Sequence, residues 1–331
     1  MSPAASSVRL GIRFDLRVPD FGPATHREQY AAALEMSSWA ERLGFRFVAL
    51  SEHHGTPDGY LSAPFTLAAA ILGRTSEIKL NVAAALLPLH DPIRLAEQLA
   101  VIDLIAPGRF SFVAGAGYRA AEFEMAGVSS KERGKLLEEY IKVLRSAWTG
   151  ESFEYHGRNV VVTPKPATPG GPRMVLGGSV KAAARRAARL HMPIFAGLDN
   201  PEVRQEYEEA CAAEGYTGGS YSASGGPAFV MVSENVDATW QQIGPHALFD
   251  ATSYDEWQEP GHDSSYRVRG ATAVDDMRAS GIYRVVTPDE CIDLARAQRG
   301  LTLHPLMGGI PAPIAWHSLE LFEHEVLPAL G

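Results

Sequence analysis

Only two cysteines, Cys211 and Cys291, occur in the 331 residues. Two isolated thiols make neither a disulfide framework nor a zinc cluster, and both fall in helical patterns where buried filler is the expected role. No apolar run approaches the roughly 20 residues of a membrane span. The start, Met1-Ser-Pro-Ala-Ala-Ser-Ser7, carries neither a basic segment nor a hydrophobic signal core, so a cytoplasmic location is the expectation. Basic residues are outnumbered, 30 against 39 acidic, for a formal net charge of −9. With no clustered Lys/Arg face, nucleic acid is not the expected partner. A Gly-x-Ser-x-Gly elbow, a phosphate loop ending in Gly-Lys-Ser/Thr and a His-Glu-x-x-His helix are all missing. Those absences remove three common hydrolytic chemistries.

What is present is a rhythm. Hydrophobic residues make up 46% of the chain, enough for a large core. Apolar runs at 8–15, 46–50, 78–87 and 109–114 alternate with helical patterns. Thr25 with Glu28 forms a capping box ahead of a stripe of Tyr30, Leu34 and Leu43, and Gly44 ends that helix. Ser62 with Pro64 opens the next, and Asp91-Pro92 the one after, which stops at Pro107-Gly108. Helices over 120–126 and 132–148 lead to a hairpin pattern at 153–163 and a Pro/Gly loop at 163–172. The rhythm resumes with strands at 173–176, 192–196, 227–233 and 301–304. Asn200-Pro201 caps a helix ending at Gly215, Thr287 caps one running to Gln298, and 316–327 closes the chain. Eight strand–helix units predict an α/β fold, a (β/α)8 TIM barrel with an insertion, as one domain over 1–331. The segment 244–270, rich in Trp, Tyr, His and Pro, reads as an irregular lid or interface.

In such barrels the ligand sits at the carboxyl ends of the strands. Three kinds of chemistry converge there. The second strand runs into Ser51-Glu-His-His54. His53 or His54 facing the mouth suits acid–base or hydrogen-bond work near neutrality; a satisfied structural pair is the bland reading. Metal binding is disfavoured, because neighbours on an extended segment point opposite ways and His304 is isolated. The fourth strand opens into Gly115-Ala-Gly-Tyr118, a weak dinucleotide fingerprint that follows the wrong strand of a barrel. Gly115 and Gly117 are read instead as a loop that lets a planar ring approach the backbone. After the strand at 173–176, Gly177, Gly178 and Ser179 precede a helix N-terminus, where backbone N–H groups and the dipole suit a phosphate. Glycine for packing alone is the competing reading. Arg185 and Arg186 are expected on the solvated face of that helix.

Taken together these residues resemble the bacterial luciferase-like superfamily of flavin-dependent monooxygenases and oxidoreductases. The matching pieces are Ser51-Glu-His-His54, Pro88-Leu-His-Asp-Pro-Ile-Arg-Leu-Ala-Glu97 and Asp103-Leu-Ile-Ala-Pro-Gly-Arg109. Gly115-Ala-Gly-Tyr with Glu122-Phe123 and Gly127 follows, then Gly177-Gly-Ser179 before Ala183-Ala-Arg-Arg-Ala-Ala188. The similarity runs from the first strand to about Gly215, with an echo over 287–309. It implies FMN, its phosphate near Gly177–Ser179 and its ring over the third strand, where relatives carry a non-prolyl cis peptide. By position that bond involves Ala84, with Ala83 or Ala85. It places His53 beside the reactive edge of the flavin. One departure is that Ala116 stands where luciferases proper have a phosphate-binding arginine.

The resemblance implies oxidation of a small organic substrate by reduced FMN (FMNH2) and O2, with FMNH2 from a separate NAD(P)H:flavin reductase, and suggests a homodimer. Hydride transfer with coenzyme F-420 is the alternative. FMN is preferred because Glu-His-His is similar to the luciferase side, whereas deazaflavin relatives more often show Asp-His. A non-catalytic flavin-binding protein is the reading from another class.

Overall fold

The computed structural model describes residues 8–258 and 263–331. The first half alternates strand and helix: β1 (Arg9–Phe14), α1 (His26–Arg42), β2 (Phe47–Leu50), α2 (Pro64–Arg74), β3 (Lys79–Leu86), α3 (Pro92–Ile105), β4 (Phe110–Gly115), α4 (Ala120–Ala126) and α5 (Arg133–Ala147). A hairpin, β5 (Phe153–Tyr155) with β6 (Arg158–Val160), interrupts the pattern. It resumes as β7 (Arg173–Gly177), α6 (Lys181–Arg189), β8 (Ile194–Ala196), α7 (Pro201–Ala213), β9 (Tyr221–Ala223), β10 (Phe229–Val232), α8 (Val236–Glu256), α9 (Val274–Ser280), β11 (Tyr283–Val286), α10 (Pro288–Gln298), β12 (Gly300–Leu303) and α11 (Ala312–Leu321).

Eight strands pair in parallel in the order β12-β1-β2-β3-β4-β7-β8-β9, and β10 pairs in parallel with β11 while lying against β12. This is the curled parallel sheet of an α/β barrel. Parallel strands are covered on both faces, so they read as continuous apolar runs rather than alternating ones. Ile12, Phe14, Val48, Leu50, Leu80, Val82, Phe112 and Leu176 are accordingly buried.

Local chemistry fixes the helix starts. Thr25 and Glu28 form the expected capping box, as do Thr287 and Glu290. Asp91 accepts from the N–H groups of Ile93 and Arg94, and Asn200 from those of Glu202 and Val203. Ser62 does not cap α2; that place is taken by Ala63, with Pro64 at the first helical position.

Two further expectations are corrected. The barrel has strands the sequence reading lacks, β9 and β11, each four residues or fewer and lacking an apolar run long enough to stand out. The segment 244–270 is not irregular at its start, because α8 continues to Glu256; the described residues after it up to Gly270 form no helix or strand. Gly244-Pro245 reads as a break, but Trp240, Ile243, Ala247, Ala251 and Tyr254 form a buried stripe at helical spacing. Gly244 is there for space: a Cβ would lie 2.6 Å from Val274 of α9. Part of the segment, 259–262, lies outside the described residues.

Candidate active site

The carboxyl ends of β1 to β4 set out the site. β2 delivers Ser51-Glu-His-His54, and the two imidazoles diverge as an extended backbone requires. His53 is buried, and its Nδ1 lies 2.9 Å from Oε1 of Glu122 on α4. The same oxygen accepts from the His54 backbone N–H at 3.0 Å and from Arg119 Nη1 at 3.1 Å. Burial opposes charge on Glu122, but the bonds from His53, His54 and Arg119 outweigh it and hold its pKa below the ordinary carboxylate value. An ionised carboxylate only accepts, so Nδ1 carries the proton and Nε2 of a neutral His53 keeps its lone pair. Burial lowers the His53 pKa, only partly countered by Glu122. At pH 7 the ring is therefore a neutral base.

His54 turns to Glu52, with Nε2 3.0 Å from Oε1, an oxygen shared with His90 at 2.7 Å. The Glu52 bond raises the His54 pKa against a smaller effect of burial. Burial disfavours a charged Glu52, yet His54, His90 and the Leu86 N–H, which donates to Oε2 at 2.6 Å, bring its pKa down to about 2. His54 is thus tied into a hydrogen-bonded cluster around Glu52 that anchors the end of β3.

Aromatic rings box His53. Tyr60, Trp257, Tyr118 and Tyr254 lie 4.8, 5.0, 5.8 and 6.4 Å from it, centroid to centroid. Tyr254 and Trp257 come from the carboxyl end of α8, and Tyr266 stacks on Tyr254. Arg119 lies over the Trp257 ring at 4.2 Å.

The floor comes from β3 and β4. The Ala83–Ala84 peptide bond is cis, and the β3–β4 register shifts between Ala83 and Ala85. Ser51 Oγ donates to the Ala83 carbonyl at 3.1 Å, joining this floor to the histidine strand. A Cβ on Gly115 would come within 2.8 Å of Ala84 Cβ and 3.3 Å of the Ala85 carbonyl. Gly117 has φ +75°, with the Phe123 ring 3.0 Å from any Cβ. Gly177 faces Val113 at 2.8 Å and Gly178 faces Ala183 at 2.4 Å. Each of these four glycines is thus explained by protein packing, which is the bland reading of the motifs.

Ser179 is different. Its Oγ accepts from the Gly197 N–H at 3.1 Å and still has its own proton to donate. It sits just before the nine-residue α6, where the Ala183 N–H of the first turn donates to the Val180 carbonyl at 2.9 Å, leaving those of Lys181 and Ala182 for a ligand. That donor set fits a phosphate. The nearby cations are mostly engaged, Lys181 with Glu202 and Arg185 with Glu206. Arg186 is half-buried against Gly134 and Glu138, a correction to its expected solvated place: the small Gly134 leaves room for it.

A second polar layer lies beneath the aromatic box and is not anticipated by the sequence reading. Arg13 Nη2 donates to Ser51, Tyr60 and Tyr254 at 3.1, 3.2 and 3.4 Å. Arg17 is neutralised by Asp58 and by Asp250 at 2.8 Å, with Ser253 Oγ at 2.7 Å. Asp15 accepts from the Gly308 N–H and faces His304 at 3.5 Å. Burial and Asp250 raise the Asp15 pKa to about 7, against Arg17, Gly308 and Arg13. The signal was there: three charged residues within an apolar strand and its exit, Arg13, Asp15 and Arg17, are out of place unless buried with partners. Glu122 carried a weaker signal, an Arg119–Glu122 pair at i,i+3.

The luciferase-like monooxygenase family pattern matches residues 14–304. The alkanal monooxygenase beta chain of Photorhabdus laumondii subsp. laumondii is 27% identical over 212 residues, covering 62% of this chain and 65% of that protein. This chain therefore spans just under two thirds of that relative. The FMN complex of the oxygenating constituent of 3,6-diketocamphane monooxygenase, from the CAM plasmid of Pseudomonas putida, superposes with a TM-score of 0.65 at 18% identity, covering 97% and 98% of the two chains. An F420-dependent secondary alcohol dehydrogenase superposes at 0.66 with 17% identity, covering 98% and 99%. Those two likenesses show a common fold and not a common cofactor. No helix of the described residues is long and apolar enough to cross a membrane. With a parallel barrel, a histidine at the end of its second strand and a pattern match over nearly its whole length, this chain belongs to the luciferase-like monooxygenase family.

Proposed function

We propose that this chain is a flavin-dependent monooxygenase that uses reduced FMN and O2 to oxidise a small organic substrate. The observation that carries the reading is His53, a buried neutral imidazole whose Nδ1–H is held by Glu122 while aromatic rings surround it. FMN, when bound, supplies the activation of O2; the protein's share is orientation, proton handling and exclusion of water. Ser179 and the α6 N-terminus would hold its phosphate, and Ala84, Ala85, Gly115 and Gly117 would border its ring. His53 Nε2 would take or return a proton at the reacting edge, with Glu122 fixing the tautomer and Arg119 holding Glu122 in place. Tyr254, Trp257 and Tyr266 would act as the cover that keeps water out. A separate NAD(P)H:flavin reductase would supply FMNH2, and the active form would be a homodimer in the cytoplasm.

The second reading is hydride transfer with coenzyme F-420, favoured by the shared fold of the F420-dependent dehydrogenase. FMN is preferred because of Glu52-His53-His54. Anaerobic titration with FMNH2 and then with reduced F-420 separates the two. Tight binding of FMNH2 followed by O2-dependent product formation supports the proposal; binding of reduced F-420 alone overturns it. Shortening the segment after Trp257 should raise hydrogen peroxide release per NADH in a reductase-coupled assay if it is a cover. A shift of the sedimentation coefficient toward monomer would make it interface instead.

A further inference from the structure

Arg13 is a buried guanidinium, 6% exposed, whose direct hydrogen-bond partners among the described residues are all neutral. Arg17, four residues further along the chain, has two carboxylates; among the described residues Arg13 has no ion pair. The Tyr266 ring covers it at 3.9 Å, which offsets part of the cost of burial. Asp15 contributes attraction without an ion-pair contact; its Oδ2 is turned to Gly308 and His304, and its Oδ1 accepts from the Arg17 backbone N–H at 3.3 Å. Nη1 of Arg13 is buried and has no hydrogen-bond partner among the described residues. Unpaired buried N–H groups on a full charge are expensive, and a protein keeps them where a ligand completes them.

The placement indicates which ligand. Arg13 pairs in register with Ala49 of β2, so its strand position is near the carboxyl end of the barrel. It reaches Tyr60 and Tyr254, both of which also flank His53. Through Ser51 it is linked to the carbonyl of Ala83 on the floor. A planar fork whose two N–H bonds at one nitrogen are shared among three hydroxyls, and which is stacked on a ring, is pre-organised to receive an oxygen at the other.

We propose that Arg13 is a binding site for an anionic oxygen, of a carboxylate or enolate type, presented next to His53. The inference rests on the proposed function only for the identity of that ligand. Two sources share the chemistry: an acidic oxygen of the organic substrate, or the anionic pyrimidine edge of reduced flavin. If it is the substrate, the enzyme selects organic anions with an unsaturated body that suits the surrounding rings.

The test needs no turnover. Formate and its neutral counterpart formamide are titrated into the flavin-free protein at constant ionic strength, read by the fluorescence of Trp257, 5.0 Å from His53. Formate should bind at least tenfold more tightly than formamide, and Arg13→Gln should abolish the difference. Equal affinity for the two, no binding of formate, or discrimination that survives R13Q would each overturn the proposal; the last would mean that the anion sits elsewhere, such as at Ser179. Should R13Q fail to fold, Arg13→Lys decides: formate binding about tenfold weaker supports a planar fork, and unchanged affinity refutes it. Repeating the titration anaerobically with saturating FMNH2 identifies the source. Exclusion of formate assigns Arg13 to the flavin edge, and retained binding assigns it to the substrate. If FMNH2 does not bind at all, the flavin reading fails while the formate measurement still stands.

Discussion

Replacing Glu122 with Gln removes one charge and almost no volume. In the native site one oxygen of Glu122 accepts three bonds, from His53 Nδ1–H, the His54 N–H and Arg119 Nη1, at 2.9 to 3.1 Å. The other oxygen is buried without a hydrogen-bond partner among the described residues. Gln can place its carbonyl where the accepting oxygen was, so all three bonds survive as neutral-acceptor bonds. Bonds to a charged group contribute roughly 1.5–3 kcal/mol against about 1 for neutral ones. Demoting three of them should cost about 3 kcal/mol. The amide nitrogen then occupies the partnerless position, which adds to the cost rather than relieving it. Glu122→Ala goes further and strands Arg119 and His53, for about 3–5 kcal/mol. At roughly 2 °C per kcal/mol for a chain of this size, E122Q should melt about 6 °C lower.

The same change acts on His53. Glu122 raises its pKa, so E122Q should lower it further and move the acidic limb of the turnover profile to lower pH. The assay is therefore a pair: urea or thermal unfolding, and kcat against pH from 5 to 8. An E122Q protein as stable as wild type, with its acidic limb unmoved, would refute the account of this cluster.

The other predictions concern separate parts of the site. His53→Ala should leave the fold nearly intact and reduce turnover by about 10²–10⁴-fold, while His54→Ala should cost less turnover but more stability; stopped turnover assays and melting curves on both variants decide, and reversed losses would contradict the assignment. Gly178→Asp is a poor probe of phosphate binding, since any Cβ there meets Ala183 at 2.4 Å. Ser179→Asp places a carboxylate against the phosphate without that collision; it should weaken FMN binding by at least tenfold and leave riboflavin binding nearly unchanged, read by equilibrium dialysis. Asp15, with a folded pKa of about 7 against an ordinary 3.8, holds an extra proton in the folded state between those values. Stability from this group is full below pH 3.8 and is lost as pH rises toward 7, so Asp15→Asn should flatten that slope in urea midpoints taken from pH 5 to 8.

The chain of apolar runs and caps was enough to specify a barrel, because parallel strands buried on both faces and helices with Thr25, Asp91, Asn200 and Thr287 at their starts are local features. The same local character made His53 and His54 visible, as a polar cluster at the end of a strand. The glycines were visible too, but not their reason: only packing shows that Gly115 yields to Ala84 and Gly178 to Ala183. Short strands such as β11 and the helix running through Gly244-Pro245 were decided by what packs against them, which propensity does not contain. Glu122 lies 69 positions from His53, and Arg13 lies 241 from Tyr254. Partners so far apart become a site only when the barrel closes and brings strand ends and the end of α8 to one mouth. Sequence fixes which groups must find a partner when buried; the tertiary structure alone decides which partner they find, because desolvation, distance and direction are properties of the assembled interior.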